Sequence, residues 1–205
     1  STNLSSLDVS ACTELDYLEC GNNKNLTELN VSGCAALTKL YCGLNSLSKL
    51  DVSGCPDLAY LECSDNDLTS LDVSACEGLS HLSCSANKLT DLNLNGLTEL
   101  EELDCYRNGL TDLNINGCPK LRILSGMGNR FCALDISDCP ILINLVNTGS
   151  TEDIGIDDLE GILYQCDDSE IWMSLDKTTV LAAVKITSLE LSASNFTYTG
   201  SAIKP

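Results

Sequence analysis

Hydrophobic and polar residues alternate in two short phrases that recur along most of the chain. The first phrase reads L-x-x-L-x-C-x-x-N, and the second opens as Leu-Asp-Val-Ser or a close variant. The leucines that open the second phrase recur every 21 or 22 residues and are Leu7, Leu29, Leu50, Leu71, Leu92, Leu113 and Leu134. Within each phrase a polar residue follows each inward-facing leucine, so both phrases predict short β-strands.

Cysteine and asparagine recur at fixed places in the repeat. The first-phrase cysteines are Cys20, Cys42, Cys63, Cys84 and Cys105, with Gly126 next in that column. The second-phrase column holds Cys12, Cys34, Cys55, Cys76, Leu97, Cys118 and Cys139. The asparagines are Asn23, Asn45, Asn66, Asn87, Asn108 and Asn129. We expect these asparagines to turn inward and bond to the backbone at the bends.

A constant repeat of this length predicts a solenoid. One coil cannot bury its own apolar face, but stacked coils share a continuous core. Paired strands of successive coils would lie about 4.8 Å apart. No helical periodicity interrupts the phrases, so we predict about seven coils with parallel strands and little helix.

The repeat resembles the leucine-rich repeat, whose signature is L-x-x-L-x-L-x-x-N/C-x-L. It is most similar to the short bacterial type, called IRREKO, in which two such half-signatures are nested in 21 residues. The resemblance covers about residues 4–147. It implies a leucine-rich-repeat fold and says almost nothing about a ligand.

The pattern divides the chain into three parts. Residues 1–147 form the predicted solenoid, and residues 148–185 are expected to cap its open end as a small α+β element. Within the cap, residues 157–165 have helical spacing, and we expect Trp172 to pack there. Residues 186–205 alternate like a strand, and residues 196–205 resemble the opening of a bacterial immunoglobulin-like repeat. We therefore expect the start of a truncated immunoglobulin-like domain at this end.

Charge narrows the classes of partner. The 205 residues include 30 acidic and 11 basic side chains, which gives a formal net charge of −19. This balance argues against a nucleic-acid partner and against docking on anionic lipid. No apolar run reaches the roughly 18 residues that a membrane helix needs, so we expect no membrane insertion. With His81 as the single histidine, we predict no catalytic residues, no metal site and no cofactor.

Eleven of the 13 cysteines fall in the two columns. We interpret the column members as small buried hydrophobic side chains, because free cysteine is among the most buried residue types. Zinc sites favour close pairs such as C-x-x-C, and the sequence has none. Disulfides along a column stay an alternative, although parallel side chains would hold the Cβ atoms slightly too far apart.

The residues on either side of the inward leucine of the first phrase should point outward. This predicts a surface rich in tyrosine and carboxylate, formed by Tyr17, Lys39, Tyr41, Tyr60, Glu62, His81, Glu102 and Tyr106. Tyrosine is favoured at recognition surfaces because it combines contact area with a polar tip. The alternative is that tyrosine simply suits an exposed strand.

The second phrase exposes a monotonous column of aspartate and asparagine. Its members are Asp8, Asn30, Asp51, Asp72, Asn93, Asn114 and Asp135. We favour a ladder in which each side chain bonds to its own turn. A weak calcium ladder is the alternative, because hard cations choose carboxylate oxygens.

Our leading hypothesis is a non-enzymatic binding module of a bacterial secreted or cell-surface protein. It would act as a monomer and recognise an unidentified protein or glycan through the tyrosine and carboxylate surface. The alternatives are a structural spacer within a longer surface protein and a weak calcium-dependent adhesion module.

Overall fold

The computed structural model describes residues 4–126, 128–130 and 139, and the backbone of two short later strands. Eight strands lie in the repeats: β1 Ser6–Asp8, β2 Tyr17–Glu19, β3 Glu28–Asn30, β4 Lys39–Tyr41, β5 Tyr60–Glu62, β6 His81–Ser83, β7 Glu102–Asp104 and β8 Ile123–Ser125. The two later strands are β9 Glu190–Ser192 and β10 Asn195–Thr197, which pair antiparallel. No helix occurs among the described residues.

The first phrases form one parallel sheet in the order β2-β4-β5-β6-β7-β8. Equivalent leucines are register partners, for example Leu40 with Leu61 and Leu61 with Leu82. The backbone ladder extends into the cysteine that follows each strand, where the Cys63 N–H donates to the Ser83 carbonyl at 2.8 Å. Each coil therefore contributes one equivalent strand to the sheet, in the same register.

The second phrases pair only at the start of the array. Strand β1 pairs with β3 in parallel, and Asp51 with Asp72 forms an isolated bridge. Beyond this bridge the second phrases form no further strand or bridge up to residue 126, so the expectation of two strand-like phrases in every coil is wrong there. The turns that follow these unpaired second phrases also differ in backbone conformation, since Gly96 and Gly117 have positive φ.

Leucine and cysteine fill the interior. Leu40, Leu61 and Leu82 are at most 2% exposed, and Cys42, Cys63 and Cys84 are completely buried. Full burial of each such leucine contributes about 1.5–3 kcal/mol. The described cysteines from Cys12 to Cys118 are free thiols, and of all the cysteines that the structure describes only Cys12 is exposed. The prediction of cysteine as packing material is confirmed for these buried members.

The repeated asparagine joins each coil to the next. The Asn66 amide nitrogen donates to the carbonyls of Cys42 and Cys63, both at 3.0 Å. Its Oδ1 accepts the Leu47 N–H at 2.9 Å. The inward asparagine is therefore confirmed, and it satisfies backbone groups of two coils at once.

The residue before each of these asparagines has a left-handed backbone. The six members of this column are Asn22, Leu44, Asp65, Ala86, Arg107 and Gly128, with φ between 50° and 74°. Glycine is the residue that suits such a conformation, yet only the last member is glycine. Asparagine and aspartate also adopt this conformation readily, so the local backbone strain at this bend falls on Leu44, Ala86 and Arg107.

The fold prediction is confirmed as a parallel-strand solenoid of about six coils with little helix. The seventh second phrase at Leu134, the predicted cap at 148–185, Cys132, Cys166 and Trp172 lie outside the described residues. The boundaries of the three parts therefore stay a prediction, as does the immunoglobulin-like domain at 186–205.

Candidate functional site

The outward side of the six-stranded sheet is the candidate site, and we call it the first-phrase face. In every strand the central leucine or its equivalent lies inward and its two neighbours lie toward solvent. The register aligns two columns of outward residues. Column one holds Tyr17, Lys39, Tyr60, His81, Glu102 and Ile123, and column two holds Glu19, Tyr41, Glu62, Ser83, Asp104 and Ser125.

Four aromatic rings form a continuous row across this face. The ring centroids of Tyr17 and Tyr41 are 5.6 Å apart, and those of Tyr41 and Tyr60 are 4.9 Å apart. His81 stacks on Tyr60 at 5.3 Å with an interplanar angle of 23°. Such spacings lie within the range of attractive ring pairs. The row crosses between the columns, because Tyr41 of column two packs diagonally between two rings of column one.

Exposure varies along the row. The outermost ring, Tyr17, is 47% exposed, whereas Tyr41, Tyr60 and His81 are half-buried against each other. The Tyr17 hydroxyl donates to the Glu19 carboxylate at 2.7 Å, and this bond raises the pKa of Tyr17. Burial and the nearby carboxylates raise the pKa of Tyr60 as well. Both phenols therefore present neutral hydroxyl groups at physiological pH.

Glu102 lies at the far end of the row, within an ion-pair network. His81 Nε2 is 3.5 Å from the Glu102 carboxylate, and the Ser80 hydroxyl bonds to His81 Nδ1 at 2.8 Å. Arg122 contacts Glu102 and also pairs with Glu101 at 3.3 Å. The charge of Glu102 is therefore compensated within the chain.

The three carboxylates of column two, unlike Glu102 in column one, have no such compensation. Glu62 accepts the N–H groups of Gly43 and Ser64 at 3.1 and 3.0 Å. Asp104 accepts the Tyr106 N–H at 3.1 Å and the Ser83 hydroxyl at 3.2 Å. Among the ion pairs of the described residues, none involves Glu19, Glu62 or Asp104. Neutral donors thus fix the Glu62 and Asp104 side chains in place without cancelling their charge.

Tyr106 and Lys39 belong to the same surface but not to the ring row. Tyr106 follows β7 by two residues, and its ring carries the guanidinium of Arg107 at 5.0 Å from the centroid. Lys39 is exposed beside Tyr41 and is a register partner of Tyr17 and Tyr60. Lys39 forms no ion pair with any described residue.

The thiols do not offer a nucleophile beside His81. Cys84 is buried in the core, while His81 lies on the outward face. Burial raises the pKa of the Cys84 thiol well above its ordinary value, so the reactive thiolate is disfavoured. Within the described part of the chain, no group of three His, Cys, Asp or Glu side chains is placed to hold a metal ion.

The aspartate and asparagine column of the second phrase folds back on its own turns. Asp51 accepts both the N–H and the hydroxyl of Ser53, at 2.9 and 2.6 Å. The Ser53 bonds lower the pKa of Asp51. Asn93 accepts the Asn95 N–H in the same way at 3.0 Å. This geometry is that of a turn-bonded ladder.

Sequence reasoning missed the ion-pair network and the diagonal ring contacts. The sequence does contain a signal for the first, because Arg122 follows Glu101 by one repeat of 21 residues. The second depends on side-chain rotamers, which column assignment does not determine.

None of the described residues forms a helix long and apolar enough to cross a membrane.

Comparisons with known proteins identify the fold. The functional domain of InlJ from Listeria monocytogenes, described as including a cysteine ladder, is 37% identical with a TM-score of 0.67. That match covers 69% of this chain but 31% of the InlJ chain, so the present sequence spans about a third of that relative. An internalin, InlF, from the same bacterium is 20% identical over 64% of this chain and 40% of its own, with a TM-score of 0.56.

A complex of TLR13 with single-stranded RNA is 26% identical over 65% of this chain and 21% of the TLR13 chain, with a TM-score of 0.55. No protein-family model and no curated protein matches the sequence. The repeat, the parallel stack of strands and these structural likenesses together show that the chain folds as a leucine-rich-repeat solenoid.

Proposed function

We propose that this chain is a non-enzymatic protein-binding module of a bacterial surface or secreted protein. Its partner contacts the first-phrase face. The observation that carries the proposal is the continuous row formed by Tyr17, Tyr41, Tyr60 and His81. A spacer would need no such row on its surface.

The row has the physical properties of a recognition surface. Its rings are held by each other and by the sheet, so little side-chain freedom is lost when a partner covers them. Tyrosine contributes apolar contact area together with hydroxyl groups that bond across an interface. The residues around the row vary from coil to coil, whereas the second-phrase column repeats aspartate or asparagine.

We also propose that the protein is secreted or displayed on a bacterial surface, and that its repeats are of the 21-residue type. The likeness to InlJ supports both parts of this proposal. The complex of TLR13 with RNA shows that the fold also serves RNA recognition in another protein. For the present chain a net charge of −19 opposes binding of a polyanion. A protein partner is therefore preferred.

The test begins with peptides selected for binding to the immobilised wild-type chain from a displayed library. Each selected peptide is then measured against a variant with Tyr41→Ala, Tyr60→Ala and Tyr106→Ala. We expect binding to fall about tenfold or more, because aromatic anchors dominate interface energies. Thermal unfolding of the variant checks that the solenoid is intact.

A matched control carries Asp51→Asn and Asp72→Asn on the opposite, second-phrase side. It should bind the selected peptides as the wild type does. If the selected peptides bound the tyrosine variant with unchanged affinity, the first-phrase face would not be the binding surface. If only glycans on an array bound in a tyrosine-dependent manner, the partner class would be wrong.

A further inference from the structure

We propose that the first-phrase face binds an extended basic peptide segment with Lys or Arg at every third residue. This inference rests on the proposed function, and it names the chemistry of the partner. The segment would run along the solenoid axis, with its cations on the column-two carboxylates and its stems on the tyrosine rings.

Charge complementarity is the first support. Column two presents Glu19, Glu62 and Asp104, and none of them has an ion-pair partner among the described residues. Backbone and hydroxyl donors hold Glu62 and Asp104 in fixed positions. A cation that binds there meets a preorganised carboxylate, which reduces the ordering cost of the contact.

The aromatic row is the second support. Tyrosine faces attract the cations of Lys and Arg within about 6 Å of the ring centroid. The chain already uses this contact on the same surface, because the guanidinium of Arg107 lies 5.0 Å from the Tyr106 centroid. Within the row, the Tyr17 ring is 47% exposed and offers the same contact to a basic side chain of a partner.

The spacing of the carboxylates selects the conformation of the segment. In column two the carboxylates alternate with hydroxyl side chains, in the order Glu19, Tyr41, Glu62, Ser83 and Asp104. Strands lie about 4.8 Å apart, so successive carboxylates are about 9.6 Å apart along the sheet. A polyproline II segment advances about 9.3 Å in three residues and returns to the same face.

Other backbone conformations fit less well. In a β-strand, residues three apart point to opposite faces. Two turns of an α-helix advance about 10.8 Å. Over the two intervals from Glu19 to Asp104, the cations of a helix would therefore fall out of step with the carboxylates by about 2.4 Å. The cations of a polyproline II segment would fall out of step with the carboxylates by only about 0.6 Å over the same span. The three carboxylates therefore match the polyproline II repeat.

The experiment uses synthetic peptides and the full chain. The probe repeats Lys-Pro-Pro, and the controls carry the same number of lysines in Lys-Pro repeats and in Lys-Pro-Pro-Pro repeats. An acidic control replaces each lysine of the probe by glutamate. We expect the probe to bind more tightly than all three controls, with an affinity that falls as salt screens the charges.

Variants of the chain locate the binding. Glu62→Gln with Asp104→Asn removes two charges and keeps one acceptor oxygen on each side chain. It should weaken the probe about three- to tenfold, and thermal unfolding checks that the loss of the second acceptor leaves the solenoid intact. The matched control, Asp51→Asn with Asp72→Asn, removes two charges on the second-phrase side and should leave the affinity unchanged. Lys39→Glu replaces an exposed cation of column one by a carboxylate and should strengthen binding.

The outcomes separate this inference from the proposed function. The inference is wrong if the probe does not bind, or if both double variants weaken it equally. The same holds if the Lys-Pro or Lys-Pro-Pro-Pro controls bind as tightly. In those cases the proposed function still stands, provided that library peptides of other composition lose affinity in the tyrosine variant. If no selected peptide depends on the tyrosines, the proposed function itself fails.

Discussion

Asn66 connects the repeat of the sequence with the spacing of the coils. Its side chain is 8% exposed and bonds to backbone groups of its own coil and of the preceding one. A leucine at this place would leave those carbonyls and an N–H without partners inside the core. The equivalent residue of the next coil repeats the arrangement, since Asn87 accepts the Leu68 N–H at 3.0 Å.

We expect Asn66→Asp to destabilise the fold by about 3 kcal/mol or more. The change removes the donor from the carbonyls of Cys42, Cys63 and Ser64 and places a carboxylate among them. Chemical denaturation at neutral pH would measure the loss.

The matched control is Asn93→Asp in the exposed second-phrase column, where other coils already carry aspartate. It should change the stability by no more than about 0.5 kcal/mol. Equal effects of the two substitutions would show that the inward asparagine does not hold the coils together.

At the scale of an element, the bend between the phrases places residues in a backbone conformation that their residue types do not favour. Ala86 has φ of 50° and Leu44 has φ of 57°, although neither residue favours the left-handed region. The bend is retained because the asparagine that follows it is fixed by several hydrogen bonds. In the sixth coil Gly128 occupies the position without strain.

We expect Ala86→Gly to stabilise the protein by roughly 0.5 kcal/mol. Relief of the left-handed strain contributes about 1–2 kcal/mol, and the added freedom of the unfolded chain offsets about 0.4–1 kcal/mol. Urea unfolding would show a higher midpoint.

Ala36→Gly is the control, because Ala36 is also half-buried but does not have positive φ. It should lower the stability by about 0.4–1 kcal/mol. Loss of stability in both variants would contradict the strain at the bend.

The strands themselves were predictable, because a period of two within a period of 21 leaves few alternatives. The inward leucine of each strand and the outward columns follow from that alternation alone. Pairing of the second phrases was predicted for every coil and is absent after the Asp51 and Asp72 bridge in the described chain. The loss of pairing coincides with a positive φ at Gly96 (89°), a turn feature that the leucine pattern does not reveal.

For the site, the sequence placed Tyr17, Tyr41 and Tyr60 on one face, and the structure brings their rings into contact. It also placed Tyr106 there, but the ring contact of this residue is with Arg107. The difference arises because Tyr106 follows its strand and lies outside the two columns. A position beyond the strand is governed by the turn, which the alternation does not describe.

At the scale of the whole molecule, the buried thiols couple stability to alkaline pH. Burial raises the pKa of Cys20, Cys55 and Cys76 to about 11 and that of Cys105 to about 12. In the unfolded chain a thiol ionises near pH 8.5. The stabilising effect is complete below that pH, and it is lost as the pH rises toward 11, since only the unfolded chain then releases its protons.

We therefore expect the free energy of unfolding to fall steeply between pH 9 and pH 11. Each such thiol contributes a slope of at most about 1.4 kcal/mol per pH unit, so the four together contribute up to about 5.6 kcal/mol per unit. Urea midpoints measured across this range in the presence of a reductant would show it.

Cys12→Ser alters an exposed thiol and should leave the slope unchanged. Cys105→Ala should reduce the slope by about 1.4 kcal/mol per pH unit. A urea midpoint that stayed constant to pH 10.5 would contradict the account.

The free thiols also bear on how such an array changes length. In a protein stapled by disulfides, cysteines must be gained and lost in partners, because an unmatched one is reactive. Here each coil adds its cysteines as separate packing residues, and those described from Cys12 to Cys118 form no disulfide. Duplication or deletion of one coil therefore leaves no orphaned cysteine, whether the resulting number is odd or even. The gene for such an array is free to grow or shrink by single repeats.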